Sequence, residues 1–332
     1  MYFEASLKER ALKFLRLVSG SYAGLPNDIT IEVSTACGQD CPMCFRAPLG
    51  IRAETMPYPL FSSLLDGLKS AFGAKEPRYL NFVGLGEPLL NEALGDMLKL
   101  AKKTFPRTAL NVSTSLAVPD HALFSALSAE NLVNRVSVSI DNPEGGGSLH
   151  PFSQGISENL AFLKEMKKKG GFGIRLQTLI TSREAAEKVI GLARNTGADE
   201  VQLMRIDLHA FEGAPPVRRP PLAEERAIVA HAERLAAKYG IRCRNNNSYD
   251  IFMDLASFFD RRCLITDDSI FIDVQGNVLP CFYLRGFSFG NLSTQTLAEI
   301  GETRRASSFY RKQASLCKGC DIYKRKYAGG AA

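Results

Sequence analysis

The sequence predicts an α/β fold in which strands and helices alternate, followed by a smaller C-terminal region. Six short β-branched or apolar runs alternate with helical patterns between residues 28 and 239, which is typical of a parallel sheet with right-handed crossovers. This alternation of strand and helix patterns ends near residue 241. We therefore expect an open sheet or a barrel, with functional residues where the carboxyl ends of the strands meet their loops.

Each predicted strand precedes an amphipathic helical pattern. The strands span residues 28–34, 78–84, 108–115, 135–141, 173–180 and 200–206. The helices lie near residues 58–72, 89–104, 119–129, 153–169, 182–196 and 221–239. We divide the chain into an N-terminal helix (1–27), a main domain (28–240) and a second domain (241–332), in which residues 269–283 form a hairpin with its turn at Gly276 and Asn277.

The bulk composition excludes several classes of protein. The 332 residues contain no apolar run near the roughly 18 residues that a membrane helix needs, and charges interrupt the apolar part of the N-terminus, so a secretory signal is not expected. We expect a cytoplasmic protein whose eight cysteines are thiols or metal ligands. The net charge of +6 is modest and its basic residues are scattered, so nucleic-acid binding is not favoured.

Three cysteines follow the first predicted strand directly. Cys37, Cys41 and Cys44 have the spacing C-x3-C-x2-C, which suits an iron–sulfur cluster. Because a closed structural site needs four ligands, three thiolates leave one position open, and open positions are where metals do chemistry. The alternatives are three unrelated thiols or a zinc site with a distant fourth ligand.

This spacing after the first strand resembles the signature of the radical SAM superfamily, which has a partial (βα)6 TIM-type barrel. The resemblance implies that the three cysteines hold a 4Fe–4S cluster and that S-adenosylmethionine (SAM) occupies the open iron. It also implies reductive cleavage of SAM to a 5′-deoxyadenosyl radical, with electrons from a flavodoxin- or ferredoxin-type donor. Met43 departs from the family, which usually has an aromatic residue there; Phe45 is an alternative source of aromatic contact.

Other stretches resemble the SAM contacts of that family. In VGLGEP (83–88) the glycines permit close backbone approach, and the glutamate offers a carboxylate to the SAM amino group. STS (113–115) and SVSID (137–141) correspond to the nucleoside and ribose contacts, although their polar residues could instead cap the following helices. On the fifth and sixth strands, Gln177 and Arg205 could face the barrel interior and contact the SAM carboxylate or the substrate. The implied SAM contacts are Gly84, Gly86, Glu87, Pro88, Ser113, Ser115, Ser139, Asp141 and Gln177.

A second group of cysteines lies in the C-terminal region. Its members are Cys263, Cys281, Cys317 and Cys320. The pattern resembles the SPASM extension of radical SAM enzymes or its shortened form, twitch, and implies one auxiliary 4Fe–4S cluster with four protein ligands. A structural zinc ribbon is the alternative, since four cysteines with one CxxC can also bind zinc.

The resemblance implies a radical SAM oxidoreductase or epimerase that acts on a small polar substrate such as a sugar or aminocyclitol. Cys243 is either a buried core thiol or a hydrogen-atom donor in an epimerisation. An oxidation needs a base, for which Arg205, Asp207 and His209 are candidates.

Three other functions remain open. A peptide maturase would resemble this architecture, but only about 28 residues precede the first strand, too few for an independent peptide-binding module. A non-catalytic iron–sulfur electron carrier and an RNA-binding protein are alternatives from other classes.

Overall fold

The computed structural model describes residues 25–118, 120–140, 154–206, 219–245 and 269–317, together with residues 8, 11, 12, 14 and 15, which are helical. Five site residues of the sequence analysis, Asp141, Asp207, His209, Cys263 and Cys320, lie outside the described residues. Among the described helices, none combines the length and the apolar character needed to cross a membrane.

The described strands form one sheet with the order β10-β9-β8-β1-β2-β3-β4-β5-β6-β7. From β8 to β7 all neighbouring strands are parallel, whereas β9 and β10 are antiparallel additions. The strands are β1 (Asp28–Ile31), β2 (Tyr79–Phe82), β3 (Ala109–Thr114), β4 (Arg135–Ser139), β5 (Gly173–Leu179), β6 (Glu200–Met204), β7 (Arg242–Asn245), β8 (Ser269–Ile272), β9 (Asn277–Leu279) and β10 (Gly290–Asn291).

Six helices connect the successive parallel strands from β1 to β7, and two more follow β10. The helices are α1 (Tyr58–Phe72), α2 (Leu94–Thr104), α3 (His121–Ala129), α4 (Gln154–Lys169), α5 (Arg183–Thr196), α6 (Leu222–Lys238), α7 (Leu297–Ala306) and α8 (Phe309–Leu316). Side chains at the helix starts satisfy free backbone N–H groups: Asp120 accepts from Leu123 N and Ser182 from Ala185 N. The predicted partial barrel of βα units is confirmed.

The two faces of the parallel strands differ in chemistry. Because successive side chains of a strand point to opposite faces, one set packs against the helices and is apolar: Ile29, Ile31, Leu80, Phe82, Leu110, Val112, Val136, Val138, Ile174, Leu176, Val201 and Leu203. The other set is polar: Thr30, Asn81, Asn111, Ser113, Ser137, Arg175, Gln177, Glu200 and Gln202. Parallel strands buried on both faces are usually apolar on both, so this polar face marks the barrel interior.

The C-terminal region continues the same sheet at both of its edges. Strand β7, which the sequence analysis assigned to the second domain, pairs in parallel with β6 and so adds a seventh strand to the barrel. At the opposite edge β8 pairs in parallel with β1, in the register Asp28↔Ser269 to Ile31↔Ile272.

The predicted hairpin is formed by β8 and β9. In its turn, Asp273 Oδ1 accepts from the backbone N–H groups of Gln275 and Asn277 at 3.0 and 2.9 Å, while Gly276 adopts a φ of 84°, a conformation that glycine adopts without steric cost.

Candidate active site

Two loops meet at the carboxyl ends of β1 and β2. The first carries the cysteine triplet, and the second is the GLGEP segment (84–88). The backbone N–H of Glu87 donates to the carbonyl of Ala36 at 2.8 Å. A Cβ on Gly86 would lie 2.3 Å from the carbonyl oxygen of Ser34, so only glycine permits this approach. The geometry therefore joins the two segments that the sequence analysis assigned to cluster and SAM.

The cysteine loop turns tightly and keeps its thiols partly accessible. Cys37, Cys41 and Cys44 form no disulfide and are half-buried, and Cys44 N donates to Cys41 O at 2.9 Å. Two sulfurs accept backbone N–H groups: Cys37 Sγ from Gln39 at 3.4 Å and Cys44 Sγ from Arg46 at 3.5 Å. Backbone N–H donors of this kind stabilise the thiolates that ligate iron.

Burial raises the pKa of the Cys37 thiol, and the nearby Glu87 carboxylate raises this pKa further, whereas the Gln39 N–H and Arg46 lower it. The protein alone thus favours the neutral thiol, and bound iron would reverse that preference because a metal ion deprotonates its thiol ligands. In the part of the chain that the structure describes, no group of three or more His, Cys, Asp or Glu side chains is already arranged around a metal position. The loop offers the right donors, and metal binding is commonly coupled to such local folding.

Glu87 is buried and already hydrogen-bonded. Its side chain accepts from Ser115 N at 2.8 Å, from Ser115 Oγ at 2.6 Å and from Leu89 N at 3.2 Å. Pro88 follows as the first residue of a short 3-10 turn, Pro88–Leu90. The Glu87–Ser115 contacts join the ends of β2 and β3, so two residues predicted to contact SAM separately instead form one unit.

Polar side chains on the interior face form a hydrogen-bonded relay across the sheet. Ser113 Oγ donates to Gln177 Oε1 at 2.8 Å, and Gln177 Nε2 donates to Gln202 Oε1 at 2.7 Å. Ser139 stands beside Gln177 in the β4–β5 register. The predicted residues Ser113, Ser139 and Gln177 thus share the barrel interior.

A buried charge cluster lies below this relay, at the amino ends of the strands. Arg175 and Arg244 both bind Glu200, at 2.5 and 2.9 Å, and Arg175 Nη1 also donates to Gln202 at 3.0 Å. Both Arg175 and Glu200 are almost fully buried. We did not predict this cluster from the sequence, although the polar positions alternate with apolar ones in GIRLQTL and EVQLM and would have revealed it.

Two predicted catalytic residues lie outside the interior, on the face that packs against helices. Arg205 binds Glu225 of α6, with 2.7 Å between Nε and Oε2, which corrects the expectation that Arg205 faces the interior. Cys243 pairs in register with Val201 and packs against the hydrophobic core. Burial raises the pKa of Cys243 to about 12, with Glu233 and Glu200 adding to the shift. Its position agrees with the core-thiol alternative and gives the hydrogen-donor role no support.

The segment that carries Cys281 contacts the loop of the first cysteine group. Cys281 is half-buried and Cys317 is buried after α8. Tyr283 makes an edge-on contact with Phe45, with 5.1 Å between the ring centroids. Phe45 follows Cys44, so an aromatic pair connects the two cysteine segments.

A buried ion pair joins the same two regions. Arg285 donates to both carboxylate oxygens of Glu32, from Nη1 at 2.5 Å and from Nη2 at 2.7 Å. The Glu32 side chain has 0% exposure. Removing one partner of such a pair typically costs about 3–5 kcal/mol because a charge is left buried without compensation.

The C-terminal region matches the SPASM family model, an iron–sulfur cluster-binding domain, over residues 263–321. The fold is similar to that of Streptococcus suis SuiB bound to S-adenosylmethionine, with a TM-score of 0.70 and 13% identity over 93% of this chain and 74% of that one. The C-terminal region therefore resembles a SPASM iron–sulfur domain, and the fold resembles that of a protein that binds S-adenosylmethionine.

Two further proteins resemble this chain. The structure of anSMEcpe with bound AdoMet has a TM-score of 0.65 and 18% identity, with 92% of each chain covered. A Pyrococcus furiosus protein named as the tungsten-containing aldehyde ferredoxin oxidoreductase cofactor-modifying protein is 23% identical over 313 residues, which are 84% of this chain and 82% of that one. The predicted cofactors, SAM and 4Fe–4S clusters, are supported; the individual ligands and the domain boundaries stay predictions.

Proposed function

We propose that this chain is a radical SAM enzyme that oxidises or epimerises a small polar substrate, such as a sugar or aminocyclitol, held in the barrel. The observation that carries the proposal is the contact between the cysteine loop and GLGEP, through Glu87 N and Ala36 O. When bound, SAM and its cluster supply a 5′-deoxyadenosyl radical that abstracts a hydrogen atom from the substrate.

The ligands that we propose divide between the two regions. Cys37, Cys41 and Cys44 would hold the SAM-binding cluster and leave one iron open. The auxiliary cluster would take Cys263, Cys281, Cys317 and Cys320. A cluster with four protein ligands has no open position for substrate, so it would supply an electron acceptor, which favours oxidation.

Residues at the strand ends would bind SAM. Gly84 and Gly86 allow the backbone to approach closely, and the Glu87 carboxylate is oriented in advance by Ser115, which lowers the cost of binding an ammonium group. Ser139 and Asp141 remain candidates for the ribose.

The interior chemistry supports a polar substrate. Gln177 and Gln202 are buried and Ser113 is partly buried, so a ligand group that left their amides and hydroxyl without partners would bind poorly. Asp207 and His209 follow β6 in the sequence and remain the candidate bases for an oxidation.

Peptide modification is the second candidate. The fold is similar to that of SuiB bound to the precursor peptide SuiA, with a TM-score of 0.68, and to that of anSMEcpe bound to AdoMet and the Cp18Cys peptide, with a TM-score of 0.62. At 13% and 16% identity these matches concern the fold. The name of the Pyrococcus furiosus relative describes modification of a cofactor rather than of a peptide. A flavodoxin- or ferredoxin-type protein would donate the electron.

The test is anaerobic quantitation of iron, sulfide and 5′-deoxyadenosine after reduction with dithionite. We expect about eight irons per chain, as two 4Fe–4S clusters require, and formation of 5′-deoxyadenosine. Cys41→Ala should lose about half of the iron and all cleavage, whereas the matched control Cys243→Ala should retain both. Iron-loaded protein that neither binds nor cleaves SAM would refute the proposal. Trapping of deuterium from labelled cyclitols or peptides in 5′-deoxyadenosine then separates the two substrate classes.

A further inference from the structure

Glu32 connects three segments of the molecule at the end of β1. Its backbone N–H donates to Ile272 O of β8 at 2.8 Å. Its Oε1 accepts from Leu85 N at 2.7 Å, and both carboxylate oxygens bind Arg285. The residue is fully buried. One side chain therefore contacts the GLGEP loop and the segment that follows Cys281.

The GLGEP loop lies directly on the Glu32 side chain. A Cβ on Gly84 would stand 2.3 Å from both Cγ and Oε1 of Glu32, so the loop at this point has no room to approach further. The next residues of the loop, Gly86 and Glu87, contact the chain that leads into the cysteine loop. The orientation of the Glu32 carboxylate thus determines where this loop sits.

Arg285 is in turn held by the C-terminal region. Its Nε donates to Phe282 O at 2.8 Å, and its guanidinium lies over the Phe271 ring of β8, 5.0 Å from the centroid. All three guanidinium nitrogens are engaged, and the planar fork matches the carboxylate in a way that lysine does not.

We infer that Arg285 is a positioning residue, which acts through Glu32 to fix the GLGEP loop for SAM. The segment Cys281 to Arg285 belongs to the auxiliary-cluster region, so that region controls the affinity of the SAM site as well as serving the auxiliary cluster. The aromatic pair Phe45–Tyr283 provides a second contact between the same regions. This inference rests on the proposed SAM site.

Hydrogen exchange tests the local effect without reference to activity. In the reconstituted protein, Arg285→Lys should speed exchange of the peptide that contains the Leu85 N–H, while peptides of β3 keep their protection. Arg304→Lys is the matched control because Arg304 also lies over a phenylalanine, Phe289, at 5.4 Å. Uniformly faster exchange in all peptides would show a merely structural role and overturn the inference.

SAM binding tests the consequence. With iron content equal to that of the unchanged protein, Arg285→Lys should raise the Kd for SAM about tenfold, as loss of an orienting partner commonly does, and Arg304→Lys should leave it unchanged. Glu32→Gln combined with Arg285→Lys should weaken binding no more than the worse single change, because both act through one contact.

The outcomes separate the two proposals. If the unchanged protein binds SAM and Arg285→Lys binds it equally well, the inference on Arg285 is wrong and the proposed function stands. If the iron-loaded unchanged protein does not bind SAM, the proposed function itself fails. If the two single changes raised the Kd for SAM by factors that multiply in the double variant, Arg285 would not act through Glu32.

Discussion

The interior and the helix-facing side of the same parallel strands differ in almost every property that matters for function. On the helix-facing side, residues such as Val201 and Leu203 are buried among other apolar side chains. One position away, Glu200 and Gln202 are equally buried but bind charged or polar partners. The outer face stabilises the barrel through apolar burial. The inner face lowers that stability in part, because burying polar and charged groups costs free energy.

The difference teaches which residues can act on a bound molecule. Arg205 and Cys243 both lie on or beside the last parallel strands, yet both belong to the outer face. Ser113 and Gln177 belong to the inner face. Substitutions on the two faces should therefore separate effects on stability from effects on SAM.

The largest effect on stability is expected from the charge cluster of the interior. Arg175→Met removes one partner of the buried Glu200 and should lower the free energy of unfolding by about 3–5 kcal/mol. Urea denaturation followed by circular dichroism measures this change. The control is Arg183→Met, whose ion pair with Glu187 is largely exposed and should matter by about 0–1 kcal/mol. If Arg175→Met and Arg183→Met lowered the free energy of unfolding equally, the buried charge cluster would not differ from an exposed ion pair in its effect on stability.

An intermediate effect, on the binding or turnover of SAM or substrate, is expected when the hydrogen-bonded relay of Ser113, Gln177 and Gln202 is interrupted. Gln177→Leu leaves Ser113 without its partner and removes one of the two donors to Gln202 Oε1, which costs about 1–3 kcal/mol, and should weaken ligand binding or turnover about tenfold. Arg205→Met, on the outer face, should destabilise the protein and leave the Kd for SAM unchanged. SAM binding and 5′-deoxyadenosine formation measured on both variants would sharpen the comparison; a Kd that changes only in Arg205→Met would reverse it.

Near neutral pH the smallest effect is expected at Cys243, and this effect grows as pH rises. The folded protein holds this proton up to a pKa of about 12, whereas an unfolded thiol loses it near 8.5. Between these values the unfolded state binds fewer protons, so the free energy of unfolding falls as pH rises. Cys243→Ala should show a shallower fall between about pH 9 and 12. Identical slopes would mean that the thiol is not desolvated.

The βα order and the hairpin could be predicted because strand and helix periodicity are local signals. Strand β7 was harder to assign because its sequence RCRN is mostly polar. Its pairing with β6 shows why: Arg242 and Arg244 occupy the inward positions of the strand. Arg205 follows the last residue of β6, where alternation no longer indicates a face. Its partner Glu225 lies in the first turn of α6, on a different element of the chain.

Contacts between distant segments could not be predicted at all. Glu32 and Arg285 are 253 positions apart, and no local pattern marks them as partners. The Glu87–Ser115 contact joins two motifs that each had a family resemblance, yet their mutual hydrogen bonds depend on the β2–β3 register. Family resemblance indicated the residue types, and only the three-dimensional structure indicates which of them act together.

The central claim is that the loops after β1 and β2 form one SAM site. The most direct measurement is the electron paramagnetic resonance spectrum of the reduced protein before and after addition of SAM, recorded on Cys281→Ala, in which the auxiliary cluster is disrupted. We predict a 4Fe–4S signal whose g-values change with SAM, and a signal that requires Cys37, Cys41 and Cys44. A spectrum that SAM leaves unchanged, in protein that contains the first cluster, would contradict the account.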